Sequence, residues 1–470
     1  MLLILPNYDL PSRIIVARQC LRIYQEEKQK LKRLIKGQRV CITSDTYHKG
    51  ETIGSAIESC LLDWAIENLF TVTLDNASTN DVAITHLKEK IGDWKGVIMR
   101  NNFLHVRRNA HILNLIVKEG LSEQNESISR VRNIVKYVKS FSARSASFKS
   151  YVEKVKLDTN GLLSLDVENR WNSTYLMLSI AVKFEKAFSR MNINDHKYIK
   201  YCLDSKGKIE HPSSKDWKDV NIFLKVLEIF YQTTLKFSST LQVTSNAFFH
   251  DLFNLRSIIV NYSKCDDFIL TDMAKKMKVK FNKYWGDFSD MNILLFVAVV
   301  LDPCYKMKYV EFLFKKYYNS VEGCTKSDKV RDTLTGLYAH YKSFISGTSC
   351  ESIGDQTSVN SEIDVMNSFT MWQSQWEKYL EKENDIDDKS DLDKYLKDDV
   401  KKIKDFNILS WWKASSEKYP IVSRIARDVL PIPTSIVALE TVFSTGGRIL
   451  DCYRSSLPPK TAEALICGQQ

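Results

Sequence analysis

The sequence predicts an α/β core followed by a larger region that is all helical. Two short apolar segments, residues 39–45 and 69–75, have the length and composition of buried strands, and each ends in an aspartate. Between them, residues 51–68 place apolar side chains at helical spacing. Beyond residue 172 the strand pattern fades while the helical periodicity continues. Strands that alternate with helices predict a mainly parallel sheet covered by helices.

The chain is long enough for several domains and carries an excess of positive charge. At about 150 residues per domain, its 470 residues predict roughly three domains. Apolar residues make up 44% of the chain, which excludes wholesale disorder. Lys and Arg number 67 against 57 Asp and Glu, and the net charge of +10 favours an anionic partner such as nucleic acid.

Cysteine spacing and apolar run length exclude several classes of protein. The closest two cysteines, Cys452 and Cys467, are far apart in the chain, so there is no C-x-x-C zinc or redox pair. The longest apolar run, 293–301, is far shorter than the roughly 20 residues that cross a bilayer. Residues 1–5 lack the features of a signal peptide. We expect no zinc site, no membrane span and an intracellular protein.

The opening segment, residues 11–40, is predicted to be a basic helix. It holds nine Lys and Arg against Glu26 and Glu27, and its apolar side chains recur at helical spacing. These cations either form an ordinary solvated face or contact phosphates. A second basic cluster comprises Lys88, Lys90, Lys95, Arg100, Arg107 and Arg108. The candidate DNA-binding residues are Arg13, Arg18, Lys28, Lys32, Arg33, Lys36, Arg107 and Arg108.

The remaining elements follow from periodicity. Predicted helices cover residues 80–92, 108–120, 126–157, 245–262, 271–285 and 307–318. Another begins at residue 214, with Ser213 and Asp216 at capping-box spacing before it. Residues 162–167 predict a third strand. Residues 346–368 are poor in apolar side chains and predict a flexible loop.

Asp45 and Asp75 are candidates for chemistry because each follows an apolar strand. In an open α/β sheet, ligands and catalytic groups collect at the carboxyl ends of the strands. If the two strands are neighbours, these carboxylates would repel unless a divalent cation neutralised them, and two Mg²⁺ ions can support phosphodiester transfer. The alternative is that both aspartates cap helices, since residues 75–81 are rich in turn and cap formers.

Seven short motifs occur in an order that covers nearly the whole chain. They are LDNASTND (74–81), AHILNL (110–115), DVENRWNSTY (166–175), LDP (301–303), ILSWW (408–412), FSTGG (443–447) and AEALI (462–466). Each motif is weak, but the ordered set resembles the hAT superfamily of transposases, and within it the transposase-derived plant RICESLEEPER and DAYSLEEPER type. The resemblance implies an RNase H-like core interrupted by a long all-helical insertion, with a C-terminal helical dimerisation region.

The resemblance also implies domain boundaries and a catalytic site. The domains would be a basic helical segment (1–40), the RNase H-like core (41–171), the helical insertion (172–345), a flexible polar and acidic linker (346–400), and the hAT dimerisation region with the last core helix (401–470). The family's metal-binding Asp/Asp/Glu triad falls on Asp45, Asp75 and Glu440, its Arg-Trp pair on Arg170 and Trp171, and its motif histidine on His111.

The chain departs from the family pattern, chiefly after Asp45. Five residues separate Asp45 from the next predicted helix, too few for the β-hairpin that the family places there. Residues 46–48 stand where the family has a tryptophan, Arg108 replaces a cysteine and Leu439 replaces a serine. The family's amino-terminal BED zinc finger finds no match, so we expect the protein to lack it.

The missing hairpin has a physical consequence for catalysis. Without it, the strand before Asp45 would form an edge of the sheet, where unpaired main-chain groups favour fraying. Two-metal catalysis needs carboxylates held within about 0.5 Å of their productive positions. We therefore expect the truncated core to be inactive, and Mg²⁺ or Mn²⁺ to bind only if the triad is functional.

The tail beyond residue 409 is dense in apolar residues. Such density either fills a local core or forms an obligate interface. Composition favours a local core, whereas the resemblance implies an interface between chains. The candidate dimerisation residues are Trp411, Trp412, Ile425, Val442, Phe443 and Leu450.

Three hypotheses for function remain at this point. The first is a transposase-derived nuclear protein that binds DNA and forms homodimers, or heterodimers with related hAT proteins, and has lost catalysis. The second is an active, metal-dependent DDE-type transposase. The third is a dimerising interaction protein without DNA binding, or a degenerate transposon copy.

Overall fold

A computed structural model describes residues 12–44, 50–75, 78–92, 94, 102–122, 125–157, 161–168, 170–204, 209–238, 243–287, 291–348, 390–401, 406–435 and 457–468. The chain divides into two units. The first comprises Met1–Lys95, Leu104–Asn292 and Pro433–Gln470, and the second comprises Gly96–Phe103 and Ile293–Ile432. The first unit is therefore built from three separate stretches of sequence.

Helices dominate both units. Those of the first unit are α1 (Arg13–Ile35), α2 (Gly50–Trp64), α3 (Ser78–Ile91), α4 (Asn109–Gly120), α5 (Asn125–Lys139), α6 (Ser142–Lys154), α7 (Trp171–Ala181), α8 (Glu185–Asn194), α9 (His196–Asp204), α10 (Ser214–Phe237), α11 (Phe248–Tyr262), α12 (Phe268–Trp285) and α19 (Pro459–Gly468). Those of the second are α13 (Leu294–Val300), α14 (Lys306–Tyr317), α15 (Ser320–Thr348), α16 (Asp391–Lys397), α17 (Ile408–Ala414) and α18 (Pro420–Val429).

The first unit contains a small parallel sheet. Its strands are β1 (Val40–Thr43), β2 (Leu69–Leu74) and β3 (His105–Arg107), in the spatial order β1-β2-β3. All six residues of β2 are buried, whereas all four of β1 are half-buried. The predicted α/β core with a helical remainder is confirmed. Within the described residues β1 lies at an edge of the sheet, as expected for the strand that precedes Asp45.

Helices α2 and α3 cover one face of the sheet. Apolar residues spaced three or four apart on each helix meet Val72 and Leu74 of β2 in a single buried cluster. The two helices cross closely at Gly54, where a Cβ atom would lie 2.7 Å from the ring of His86. Strand β2 is thus fixed beneath two helices as well as between two strands.

Two elements differ from the prediction. The predicted strand at 162–167 is wrong, because this segment joins no sheet and the third strand is β3. The single helix predicted over 126–157 is two helices, α5 and α6, since Phe141 between them has an extended backbone. The capping box before α10 is confirmed by reciprocal hydrogen bonds between Ser213 and Asp216. Burial raises the pKa of Asp216, but hydrogen bonds from Ser213, Ser127 and Arg130 outweigh it and lower the pKa to about 2.

In the second unit, α16 and α17 pack on the buried helix α13 through aromatic side chains. The indole N–H of Trp412 donates to the Leu301 carbonyl at 2.9 Å, and the Tyr395 hydroxyl donates to the Val300 carbonyl at 2.9 Å. The Nζ of Lys306 donates to the Tyr395 carbonyl at 2.6 Å, and burial lowers the pKa of this lysine to about 8. Within the linker predicted at 346–400, the described residues 390–400 therefore contain a helix, α16, that packs into the second unit through Leu392 and Tyr395.

Two of the candidate dimerisation residues belong to this core. Trp412 is 4% exposed and Ile425 is fully buried inside the second unit, and Trp411 is half-buried against Tyr395 and Tyr419. Val442, Phe443 and Leu450 lie outside the described residues. For Trp412 and Ile425, the local-core alternative accounts for their apolar character.

We expect Trp412→Ala to lower the free energy of unfolding by about 3–5 kcal/mol, because it leaves a cavity and unpairs a buried carbonyl. Urea denaturation followed by circular dichroism measures the change. Leu409→Ala, at a side chain that is 51% exposed on the same helix, is the matched control and should cost far less. Unchanged stability with loss of self-association in Trp412→Ala would instead identify an interface residue.

Candidate nucleic-acid interface

The carboxyl end of the sheet brings together Asp75 and the start of α4. Asp75 directly follows β2, is half-buried, and its carboxylate accepts a hydrogen bond from the side-chain amide of Asn80 on α3. Arg108 directly follows β3 and is buried, and its main-chain N–H donates to the Leu74 carbonyl at 2.9 Å. His111 lies half-buried in the first turn of α4. Asp75 therefore lies at the strand terminus that the sequence predicted.

A distant part of the chain also reaches this region. The Thr73 hydroxyl donates to the Pro433 carbonyl at 3.1 Å, and the main-chain N–H of Asn109 donates to the Thr434 carbonyl at 3.2 Å. Thr434 is fully buried, and its hydroxyl bonds that of Thr244 at 3.0 Å. The segment that leads toward Glu440 is thus anchored beside β2, a contact that sequence analysis did not predict.

The described residues do not by themselves make a metal site. Of the three triad candidates, Asp45 and Glu440 lie outside the described residues. Within the ranges that the structure covers, no group of three or more His, Cys, Asp and Glu side chains could hold a metal ion. The Asp75 carboxylate accepts a hydrogen bond from the Asn80 side-chain amide.

A half-buried histidine, His105, lies on β3. Burial lowers the pKa of His105 to about 4, although Asp81 lies 3.8 Å from its Nδ1 atom and favours the charged form. Its main-chain carbonyl accepts from the Asn292 side chain at 2.8 Å. His105 is therefore neutral at physiological pH, and sequence analysis missed it because β3 is only three residues long.

The Arg-Trp pair splits between the surface and the core. Trp171 begins α7 and is 5% exposed, whereas Arg170 is exposed immediately before the helix. The turn is held by Asp166, which accepts from Nε and Nη2 of Arg132 at 2.8–3.0 Å and from Thr174 at 2.9 Å. Such a bidentate pair fixes both position and orientation. Arg170 is thus an exposed cation next to a turn that hydrogen bonds hold in place, and Arg132 is a supporting residue that the sequence did not predict.

Helix α1 presents a basic face to solvent. Arg18, Arg22, Arg33 and Lys36 are exposed, and their spacing places them on one side of the helix, together with two glutamines. Glu26 lies at the edge of this face and pairs with Arg22 at 3.6 Å. A row of exposed cations along one helix is suited to contact successive phosphates. Arg13, at the start of the helix, is exposed as well.

Two lysines of α1 point instead toward the protein. Lys28 is 9% exposed, pairs with the Asp63 carboxylate and lies 5.1 Å from the ring centre of Trp64. Lys32 donates to the Asp63 carbonyl. The prediction of a phosphate contact is therefore wrong for Lys28, because α1 rests on α2 through this side chain. Charge counting along the sequence cannot separate the two faces of a helix.

Four family models match successive parts of the chain. They are the ZBED1 RNase-like domain (residues 25–103), the ZBED1 RNase-like helical domain (106–226), the hAT-like transposase RNase-H fold (246–341) and the hAT family C-terminal dimerisation region (391–470).

No helix in the described part of the chain combines the length and apolar character needed to cross a bilayer.

Curated proteins from plants are similar over most of this chain. "Zinc finger BED domain-containing protein RICESLEEPER 2" of Oryza sativa subsp. japonica is 32% identical over 90% of this chain and 58% of its own length. "Putative AC transposase" of Zea mays is 31% identical over 98% of this chain and 60% of its own length. "Zinc finger BED domain-containing protein DAYSLEEPER" of Arabidopsis thaliana is 28% identical over 99% of this chain and 68% of its own length. The chain thus spans about three fifths of the length of the first two.

We expect stability to fall as the pH is lowered from 6.5 toward 4, because His105 takes up its proton at about pH 4 when folded and near 6.5 when unfolded. Over that interval the unfolded state binds more protons, at a cost of up to about 3 kcal/mol per histidine. His211, whose pKa burial also lowers to about 4, should contribute similarly.

Urea midpoints at several pH values test this expectation. The double variant His105→Gln/His211→Gln should show a much flatter pH profile than the wild type, and each single variant should fall between them. Equal slopes in all four proteins would contradict the assignment of buried, neutral histidines.

Proposed function

Because the chain carries hAT-family transposase domains, we propose that it is a transposase-derived nuclear protein that binds DNA, self-associates through its C-terminal hAT region and has lost strand-transfer activity. The observation that carries the proposal is the sheet of three parallel strands in which β1 lies at an edge. Asp45, the first residue of the triad, follows this strand after a single intervening residue.

The loss of catalysis is inferred from how β1 is held. The Ser44 N–H donates to the Thr73 carbonyl at 3.0 Å, which ties the strand end to β2 on one side. On the other side of β1 no strand pairs with it among the described residues. A half-buried strand held along one side is a poor support for a carboxylate that must stay within about 0.5 Å of its productive position.

DNA binding is inferred from the exposed cations of the first unit. The basic face of α1 offers Arg18, Arg22, Arg33 and Lys36 to solvent, and Arg170 is presented by the turn that Asp166 and Arg132 hold. Phosphate contacts of this kind supply sequence-independent affinity that falls steeply with salt. Such phosphate contacts would position the DNA duplex on the protein but would not read its base sequence.

Self-association is inferred from the match of residues 391–470 to the hAT dimerisation region. Because Trp412 and Ile425 are buried in the core of the second unit, the interface between chains would use other residues of this region. The partner would be a second copy of this chain or a related hAT protein.

One observation favours the second candidate, an active metal-dependent transposase. The bonds of Thr73 to Pro433 and of Asn109 to Thr434 bring residues 433 and 434, which precede Glu440 in the chain, beside β2, the strand that Asp75 follows. This anchor would favour an approach of Glu440 to Asp75 that does not depend on the hairpin. This candidate and the inactive one differ in a single measurable property, metal-dependent DNA cleavage.

The DNA-binding test compares two substitutions that each remove one positive charge from α1. Arg33→Gln should lower the slope of log affinity against log salt by about 1, since it removes one phosphate contact. Lys28→Gln should leave that slope unchanged and lower thermal stability, because Lys28 is buried against Asp63. Gel shifts on a random duplex at several salt concentrations measure both.

Equal effects of the two substitutions on the salt slope, or binding that does not depend on salt, would contradict the proposed DNA interface.

The same wild-type preparation, in size-exclusion chromatography with light scattering, should elute as a dimer or larger. A monomer at micromolar concentration would contradict self-association.

The cleavage test uses supercoiled plasmid and linear duplex ends with Mg²⁺ or Mn²⁺. We expect no nicking or strand transfer above a metal-free control, because the support of Asp45 is incomplete. Metal-dependent nicking that disappears in Asp75→Ala, while Asp81→Ala retains it, would establish the active transposase instead.

A further inference from the structure

The 161–167 segment connects α6 to α7, and the main chain of residues 162–165 within it is unpaired among the described residues, whereas that of Val167 bonds Ser173 and Arg170. Residues 162–165 belong to no helix or strand, and their N–H and C=O groups make no hydrogen bond within the part of the chain that the structure describes. Leu162 is 77% exposed and Leu165 is 49% exposed, whereas Leu163 between them is buried. The segment has the apolar composition of a strand, but it has no neighbouring strand.

A cleft of about 480 Å³ lies beside this segment. Its apolar lining comes from Val138 on α5, Phe148 and Val152 on α6, Leu163 of the segment and Phe184. Phe148 and Phe184 are in edge-to-face contact, with ring centres 5.8 Å apart, so the lining is firmly packed. The volume is sufficient for one or two apolar side chains from another molecule.

The rim of the cleft is positively charged. Lys139 and Lys149 line it together with one acidic residue, Glu153; both lysines are exposed, and neither forms an ion pair with a described residue. Residues 136–156 contain six Lys and Arg and a single acidic residue, Glu153. An anionic partner would therefore be attracted to the cleft over several ångströms.

We propose that this cleft binds an extended, acidic segment of a partner protein, which adds as a strand to residues 162–165. The unpaired N–H and C=O groups of residues 162–165 would supply main-chain hydrogen bonds, as in other cases of strand addition. Alternate side chains of the partner enter the apolar cleft, and carboxylates on either side meet Lys139 and Lys149. The proposal goes beyond DNA binding.

A peptide fits these observations better than a nucleic acid does. Phosphates need exposed cations and N–H donors but gain nothing from a cleft lined by Val138, Phe148 and Phe184, and the unpaired C=O groups of residues 162–165 would repel them, whereas a peptide strand uses both N–H and C=O groups. Asp166 at the end of the segment is held by Arg132, so the segment is anchored before a partner arrives. Such preorganisation reduces the entropic cost of binding.

The test measures fluorescence anisotropy of a labelled peptide that alternates valine with glutamate. The full chain should bind it, and Lys139→Gln/Lys149→Gln should weaken binding about tenfold. Ser164→Pro, which removes one exposed N–H, should weaken it comparably. Lys218→Gln/Lys225→Gln, two exposed lysines of α10 outside the cleft, is the matched control and should bind as the wild type does.

Two further versions of the peptide carry N-methyl groups, each on one of the two alternate sets of residues, and both keep every side chain. The version whose methyl groups face residues 162–165 cannot form a strand ladder there and should bind at least about tenfold more weakly, whereas the other should bind as the unmodified peptide does. Equal binding of all three peptides, or dissociation constants above about 1 mM for the unmodified one, would overturn the proposal. Displacement of the peptide by duplex DNA would also overturn it and assign the lysines to phosphate contacts. Melting temperatures close to that of the wild type verify that the variants are folded.

Discussion

Strand β2 organises the first unit because both of its faces and both of its edges are in use. Strands β1 and β3 pair with its two edges, Val72 and Leu74 pack beneath α2 and α3, and Thr73 on the opposite face bonds Pro433. A parallel strand buried in this way is expected to be mainly apolar, and four of the six residues of β2 are apolar while the other two are threonines. Strands β1 and β3 and the segment at Pro433 all take their positions from β2, and so does Asp75, which directly follows it.

Much of the architecture could be predicted from the sequence, since β2 and the amphipathic helices carry strong periodic signals. The short strand β3 could not, because three residues with polar ends give no alternation. The false strand at 162–167 has the right composition, but Arg132 binds Asp166 and keeps the segment away from the sheet. Pairing of strands is a long-range property, and composition alone does not specify which apolar segment finds a partner.

The candidate site was predictable in part, for a related reason. A count of charges identified α1 as basic, but the inward orientation of Lys28 depends on Asp63, which lies 35 residues further along the chain. The apolar tail was equally ambiguous, because the contact that places Trp412 in a core, the hydrogen bond from its indole N–H to the Leu301 carbonyl, joins residues that are far apart in the sequence. Asp75 was located correctly because it directly follows a buried strand. Residues whose role is set by the preceding element were predictable, whereas those set by a distant partner were not.

The two ends of the described chain meet, and this affects how the protein is made. The hydroxyl of Tyr24 on α1 donates a hydrogen bond to Glu463 on α19, 439 residues further along the chain. The hydroxyl of Thr73 on β2 likewise donates to the carbonyl of Pro433, which is synthesised much later. During translation, therefore, α1 and β2 emerge long before their final partners exist. A product terminated before residue 433 would display the apolar flank of α1 and the outer side of β2, surfaces that favour aggregation or chaperone capture. Completion of the first unit is thus a late event, because it requires the residues from Pro433 to Glu463 to have emerged.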